Sequence, residues 1–375
     1  MRRIIPGLLI CTVQAASAQT QQGGSGAPPG GPGGALPEKY RNENIDIGSV
    51  SVEAAQQACG QEGHVRLVCL ADGLKGMVTS DVLAELQLPY SVEDARKWSN
   101  FPPMGYRDRV GPTLGDFDAA QLGYVKTMLM EVLSMVRDEG YDEVEQILNA
   151  DDFLFQETGE AGFSSSNFQV AFLGEPSGTG TWEFQFGGHH TSVAATFVDG
   201  ELAGATPSFR GVEPFGPFEM NGRTNDPMSQ EQAAFAAMLG ALTPEERDTA
   251  TLSQTFTDVV VGPQKDGNFP TEKEGVRVGD LTGDQQSLVL AAIATYVRDV
   301  SANDADAIMD GYEADLSETF VSFSGSTMVD EENDYVRIDG PSVWIEFSMQ
   351  PGRSLPGVHP HSIWRDRATD YGGNE

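Results

Sequence analysis

The fold prediction rests on the segment Trp182-Glu183-Phe184-Gln185-Phe186-Gly187-Gly188-His189-His190. Aromatic and polar residues alternate in its first half, which is the period of a β-strand with one buried face. Two glycines then end the run and are followed by two adjacent imidazoles. An aromatic strand face has to pack against another layer of structure, so we place this segment at the centre of a sheet.

Strand-like alternation continues on both sides of this segment. It runs from about 167 to 209, with Asp199-Gly200 as a two-residue hairpin signal, and it resumes from about 320 to 365. Helical periodicity occurs before the first block and between the two blocks. The sequence therefore predicts an α+β fold in which one antiparallel sheet is built from two β blocks, about 167–209 and 320–365, with helices inserted before and between them.

The first 38 residues have a different composition from the rest. Residues 1–18 contain two arginines, an apolar stretch and the small-residue exit Ala16-Ser17-Ala18, which predicts a secretory signal peptide. Residues 19–38 are rich in glycine and proline and predict a disordered tether. Residues 39–375 then form a single α+β domain without a membrane span. We expect the mature protein in the periplasm or the extracellular medium.

The net charge limits the partners. The chain has 23 basic and 56 acidic residues, a formal charge of −33, so nucleic acid should be repelled. We expect a small-molecule substrate instead, which the sequence does not identify, and the oligomeric state is equally open.

After removal of the signal peptide, Cys59 and Cys69 remain and predict one local disulfide, with a two-cysteine metal site as the less favoured alternative.

Four of the five histidines lie in two short segments, His189-His190 and His359-Pro360-His361. In the second segment the imidazoles are two residues apart on an extended backbone, so both project from one face and can bind one ion. Adjacent residues on a regular strand point to opposite faces. Either one of His189 and His190 binds while the other packs, or the preceding glycines bend the strand. We predict a metal site with at least three of these four ligands; the alternative is that the histidines are solvated in a turn and an edge strand.

Residue chemistry around the histidines suggests further site residues. Imidazoles without a thiolate suit zinc or copper, and iron is possible. Glu213 and Glu346 are candidate general bases or extra ligands, although Glu346 could also be an outward-facing strand residue. Arg365 is a candidate for holding an anionic substrate group, and Asp366 for orienting an imidazole.

These motifs resemble the bacterial domain-of-unknown-function 3500 family, whose pattern has a GHH segment, an FxGxEP turn and a closing HxHxxxR followed by DYG. The resemblance covers about residues 82–375 and implies an exported globular domain, but it brings no established activity. The chain departs from the pattern at Arg367-Ala368-Thr369, where the family more often has a Pro/Asn-rich turn. The positions that match the pattern are His189, His190, Glu213, His359, His361, Arg365, Asp370 and Tyr371. The resemblance thus adds Asp370 and Tyr371 to the residues expected around the site.

The leading functional hypothesis is an exported metal-dependent enzyme with a mononuclear histidine site. Metal-assisted hydrolysis of an unidentified small or anionic substrate is the favoured reaction. Two alternatives stay open: a copper- or iron-dependent oxidoreductase, and a non-catalytic exported protein that binds a metal or another ligand.

Overall fold

A computed structural model describes residue 37 and residues 39–373. The predicted signal peptide lies outside these residues, and so does the predicted tether apart from Pro37. Within the described part of the chain, no helix is both long and apolar enough to cross a membrane.

The described residues form ten α-helices and thirteen strands. The helices are α1 Glu53–Ala58, α2 Gly63–Met77, α3 Ser80–Leu86, α4 Val92–Ala95, α5 Ala119–Val132, α6 Gly140–Thr158, α7 Ser229–Gly240, α8 Pro244–Ala250, α9 Gly283–Val297 and α10 Ala302–Ala314. The strands are β1 Gln87–Leu88, β2 Gln169–Leu173, β3 Thr181–Gly188, β4 Thr191–Val198, β5 Glu201–Gly204, β6 Ser208–Gly211, β7 Phe218–Met220, β8 Arg223–Asn225, β9 Val276–Arg277, β10 Phe320–Ser324, β11 Tyr335–Asp339, β12 Val343–Pro351 and β13 Val358–Asp366.

Eleven of these strands form one sheet in the order β1-β2-β3-β4-β6-β13-β12-β11-β10-β9, with β5 paired to β4, while β7 and β8 form a separate hairpin. The pairing of β6 with β13 joins the two predicted β blocks. The α+β class is therefore confirmed. The sheet is mixed rather than wholly antiparallel because the short edge strand β1 runs parallel to β2.

One face of the sheet is covered by helices. Trp182, Phe184 and Phe186 on β3 are completely buried in a core that includes residues of α2 and α5. Farther across the sheet, Trp364 on β13 packs in a second core with residues of α7 and α9. The aromatic side of β3 thus packs against a helical layer, as its alternation predicts.

The opposite face of the sheet is covered by irregular segments, about residues 95–110 and 252–269. Since alternate residues of a strand share a face, this face carries His359, His361 and Arg365 of β13. A small apolar cluster fixes the two segments to the sheet between the histidines and the arginine. Its members include Ala95, Trp98, Val110, Val259, Phe209 and Ile363.

The predicted disulfide is present between Cys59 and Cys69. Cys59 directly follows α1, and Cys69 lies within α2. The bond therefore links two helices that both pack beside α5.

A buried charge cluster lies where α6, α7, α9 and β6 meet. Arg210 of β6 contacts carboxylate oxygens of Glu143 and Asp299, each at 3.2 Å. Burial and mutual repulsion raise the pKa of Glu143 to about 8 and that of Glu139 to about 7, and they raise the pKa of Glu231 well above its usual range. Arg210 thus pairs with two of these four neighbouring carboxyl groups, and the raised pKa values favour the protonated form of Glu143 and Glu231 at neutral pH.

This cluster predicts that the free energy of unfolding falls between about pH 5 and pH 8. A carboxyl group with a raised pKa in the folded state binds more protons there than in the unfolded chain, so raising the pH through this window favours unfolding. Glu231→Gln removes one such group and should flatten the decline, with a gain of roughly 1–3 kcal/mol at pH 8. Urea titrations at several pH values measure this, with the exposed Glu313→Gln on α10 as the control. Parallel pH profiles for the wild type and Glu231→Gln would contradict it.

Candidate metal centre

His189 and His190 form the two-residue turn between β3 and β4. Gly188 pairs with Thr191 on either side of the turn, so β3 is regular up to its last glycine. His190 adopts a left-handed backbone conformation with φ 63°. The two rings stack with their centroids 3.7 Å apart, so both imidazoles lie on one side of the turn. The strand does not bend at the glycines; the histidines lie beyond it.

Two glycines near the turn allow aromatic rings to approach the backbone closely. A Cβ atom on Gly188 would lie 2.7 Å from the ring of Phe168. A Cβ atom on Gly211, which pairs with His361 across β6 and β13, would lie 3.0 Å from Cδ2 of His190. A larger residue at position 188 would displace Phe168 of the helix-side core, and one at position 211 would displace the ring of His190.

Three of the four predicted histidines come together. His190, His359 and His361 each offer a ring nitrogen, and these three atoms lie within 4.8 Å of one another. Nε2 of His190 and Nε2 of His361 are 3.3 Å apart. Two nitrogens bound to one tetrahedral zinc ion at 2.0–2.1 Å would be separated by about 3.3 Å. The observed separation therefore fits two ligands of a single ion.

Burial favours the uncharged form of these rings. His190 and His359 are 3% and 2% exposed. Loss of hydration, together with the neighbouring imidazoles, lowers the pKa of His359 to about 2, an effect that the nearby Pro351 carbonyl only partly offsets. The same two causes lower the pKa of His190 well below its usual range. Neutral imidazole is the form that binds a metal.

Two aspartates orient the histidines through Nδ1. Asp258, in the loop after α8, lies 2.9 Å from Nδ1 of His361. Asp151 of α6 lies 2.5 Å from Nδ1 of His189. A carboxylate at Nδ1 holds the proton on that nitrogen and leaves Nε2 as the electron-pair donor. Neither aspartate is predictable from the sequence, because they lie 103 and 38 positions from their histidines and belong to no local motif.

The protein-family comparison agrees with the motifs around this centre. The model of a family described as "Protein of unknown function (DUF3500)" matches residues 61–373. The chain belongs to the DUF3500 family. The match begins upstream of residue 82, where the motif resemblance starts, and includes Cys69 of the disulfide but not Cys59. No curated protein matches the chain, and no solved structure matches it.

Glu213, in the FxGxEP motif of the DUF3500 pattern, anchors a loop. Its Oε1 accepts hydrogen bonds from the backbone N–H groups of Arg353, Ser354 and Leu355, at 2.8, 2.9 and 2.8 Å. These residues belong to the connection between β12 and β13, a few positions before His359. Glu213 lies outside the group of three histidines. Its observed contacts fix the entry of the strand that carries two of them.

Glu346 is a second buried anchor. Its carboxylate accepts hydrogen bonds from the backbone N–H groups of Val260 and Val261, from Tyr335 Oη and from Trp344 Nε1. Burial raises the pKa of this carboxyl group, while the four donors oppose the shift. The side chain faces inward, in contrast to the outward-facing alternative, and holds the loop that contains Asp258.

Arg365, of the closing HxHxxxR motif, pairs with two carboxylates. Its Nε contacts Asp370 at 2.8 Å and its Nη2 contacts Asp266 at 2.5 Å. Tyr371 also donates a hydrogen bond to Asp266 at 2.6 Å. These contacts tie the DYG motif to the loop 252–269. Because Arg365 is four residues beyond His361 on β13, it lies about 13 Å farther along the strand.

Asp366 points to the helical side of β13. Its carboxylate accepts a hydrogen bond from Tyr312 of α10 at 2.7 Å, and backbone N–H groups of Ala368 and Thr369 donate to its other oxygen. It contacts none of the imidazoles. The orienting role that the sequence suggested for Asp366 is performed in the structure by Asp258 and Asp151.

These contacts predict that Arg365 stabilises the folded protein. Arg365→Met removes the guanidinium that contacts Asp370, which is 1% exposed, so the free energy of unfolding should fall by about 3–5 kcal/mol. Arg365→Lys keeps the charge but not the two-pronged geometry, and it should lose less. Urea denaturation of both variants measures this. An Arg365→Met protein as stable as the wild type would contradict the structural role.

Proposed function

We propose that this protein is an exported metal-dependent enzyme that uses a mononuclear site for hydrolysis. His190, His359 and His361 hold one divalent ion, and the ion activates a water molecule. The observation that carries the proposal is the convergence of three buried imidazole nitrogens within 4.8 Å, two of them at the separation of tetrahedral ligands.

The number of ligands supports a catalytic site rather than a structural one. Structural zinc sites are closed by four protein ligands, whereas catalytic sites use three and keep one position for water or substrate. Among the described residues, the group of histidine, cysteine, aspartate and glutamate side chains that converges here has three members. The fourth position would hold the water whose pKa the ion lowers.

His189 stands beside the ligands without belonging to their group. Stacking on His190 and the contact of Nδ1 with Asp151 fix its ring. Its Nε2 makes no hydrogen bond to another described residue, so in our proposal this atom is available to hydrogen-bond a metal-bound water. Asp258 has a side chain that is 32% exposed, so the site is nearest to solvent on the side of His361.

Zinc is the metal that we favour, because neutral imidazoles with a tetrahedral spacing suit it. Copper and iron accept the same ligands. Export is supported by the disulfide, which is typical of proteins in oxidising compartments, and by the signal-like sequence of residues 1–18.

We expect the protein, purified without a polyhistidine tag, to contain about one metal ion per chain. The variant with His359→Ala and His361→Ala should contain none. Asp258→Asn removes the carboxylate from a ligand's Nδ1, and should weaken metal affinity by about 10- to 100-fold. Elemental analysis and competition with a chelating dye measure both effects. The absence of metal from the wild type after incubation with zinc, copper or iron would contradict the proposal.

The open position is tested by replacing the metal with cobalt(II) and adding acetohydroxamate. A change in the visible spectrum shows that an external ligand enters the coordination shell. An unchanged spectrum would indicate a saturated ion and favour a non-catalytic metal-binding protein. Native copper or iron that reacts with oxidants would favour the oxidoreductase.

A further inference from the structure

Arg109 differs from the other buried arginines. Four arginines are buried in the described part of the chain: Arg109, Arg210, Arg337 and Arg365. The last three each contact a carboxylate. Arg109, which is 8% exposed, forms no ion pair with any described residue. An arginine that is removed from water without a counter-charge is costly, so its surroundings must supply another form of stabilisation.

Backbone carbonyls supply only part of that stabilisation. Nη2 of Arg109 donates to the carbonyls of Ser99, Phe101 and Gly188, and Nη1 donates to that of Tyr106. Nε is buried and has no hydrogen-bond partner. Burial lowers the pKa of Arg109 to about 10, although two tyrosines and Asp151 oppose the shift from a distance. The guanidinium stays charged at neutral pH and keeps one donor unused.

A small cleft adjoins Arg109. Its lining includes two cationic residues, Arg109 and Lys97, and no carboxylate, although Nζ of Lys97 also contacts Asp94 at 2.7 Å. This contrasts with a chain that has 56 acidic and 23 basic residues. The cleft also contains Gln169, whose Nε2 donates to the Gly111 carbonyl at 2.6 Å and whose Oε1 is a buried acceptor that needs a donor, such as water, beside any bound anion. The other lining residues are Trp98, Ser99, Val110, Gln185, Phe186, Gly187 and Thr191.

The cleft adjoins the histidines. Ser99 lines it, and the next residue, Asn100, accepts a hydrogen bond from the backbone N–H of His190 at 3.1 Å. Its side-chain amide lies 3.5 Å from Nδ1 of His361. Gly187 and Thr191 of the lining flank the His189-His190 turn. The free volume is ≈ 10 Å³, about enough for one water-sized atom group.

We propose that this cleft is a binding site for a small monovalent anion, with Arg109 Nε as donor and Lys97 at its mouth. A carboxylate group fits best, because one oxygen fills the cleft while the rest of the group extends toward Lys97, whose side chain is 38% exposed. The anion provides the counter-charge that Arg109 lacks.

Because the cleft lies next to the histidines, the anion can be part of the substrate in the proposed reaction. If the metal-dependent function is correct, the cleft holds the carboxylate group of the substrate and positions a neighbouring bond of the substrate beside the metal ion. That step rests on the proposed function. The anion site itself does not, because none of its lining residues is one of the three histidines.

The test measures the midpoint of thermal unfolding of the metal-free protein while formate is added. The ionic strength is held constant with methanesulfonate, an anion that is bulkier than formate. Binding to the folded state alone raises the midpoint, by about 2 °C at ten times the dissociation constant. Chloride is titrated in parallel. A tenfold preference for formate supports a carboxylate ligand, while equal affinities support an inorganic anion in the same site.

Two substitutions at Ser99 form a matched pair. Ser99 Oγ accepts the backbone N–H of Phe101 at 3.2 Å, and both Asp and Asn keep such an acceptor at this position. Ser99→Asp supplies an internal carboxylate to Arg109, so we expect a higher midpoint without formate and no further rise with it. Ser99→Asn has nearly the same size without the charge and should respond like the wild type.

The variant with His359→Ala and His361→Ala separates this proposal from the metal centre. Formate should raise its midpoint as in the wild type, even if no metal binds to either protein. A response that disappears in this variant, or that is unchanged in Ser99→Asp, would overturn the site at Arg109. The absence of any response to formate or chloride in the wild type would show that the cleft holds only water, and would overturn it as well.

Discussion

The pairing of β6 with β13 is the contact on which both the sheet and the site depend. These strands lie about 150 residues apart in the chain, and their four register pairs join the two β blocks. The pair Gly211 and His361 places the second histidine segment beside the turn that carries the first. Because Gly211 lacks a side chain, the ring of His190 can lie over this pair and approach His361.

Buried ionic groups hold the irregular segments around this junction. Glu213 binds three consecutive backbone N–H groups, Glu346 binds two, and Arg365 ties the end of β13 to the loop 252–269. Each group supplies a hydrogen-bond or ionic partner to a backbone N–H group or a charge in these segments. The loop that Glu346 holds brings Asp258 to His361. The same groups thus stabilise the fold and indirectly position the histidines.

Local patterns predicted the sheet, the disulfide and the residue types of the site. Alternation in the Trp182 strand and the Asp199-Gly200 turn corresponds to β3, β4 and β5. The conformation of His189-His190 was not predictable, because a GGHH run fits both a bent strand and a tight turn. Sequence also cannot show whether a buried carboxylate reacts or anchors a loop. The sequence gives no indication of a role for Asp151, Asp258 or Arg109, because only tertiary contacts give these residues one.

In the function that we propose, His190 is a metal ligand whereas His189 supports the ligands from outside their group. The most direct measurement is the zinc stoichiometry and affinity of His190→Ala compared with His189→Ala, with circular dichroism to verify folding. We predict that His190→Ala loses stoichiometric zinc, while His189→Ala retains about one ion per chain. Retention of zinc with unchanged affinity in His190→Ala would contradict the proposed ligand set, and so would loss of zinc in His189→Ala alone.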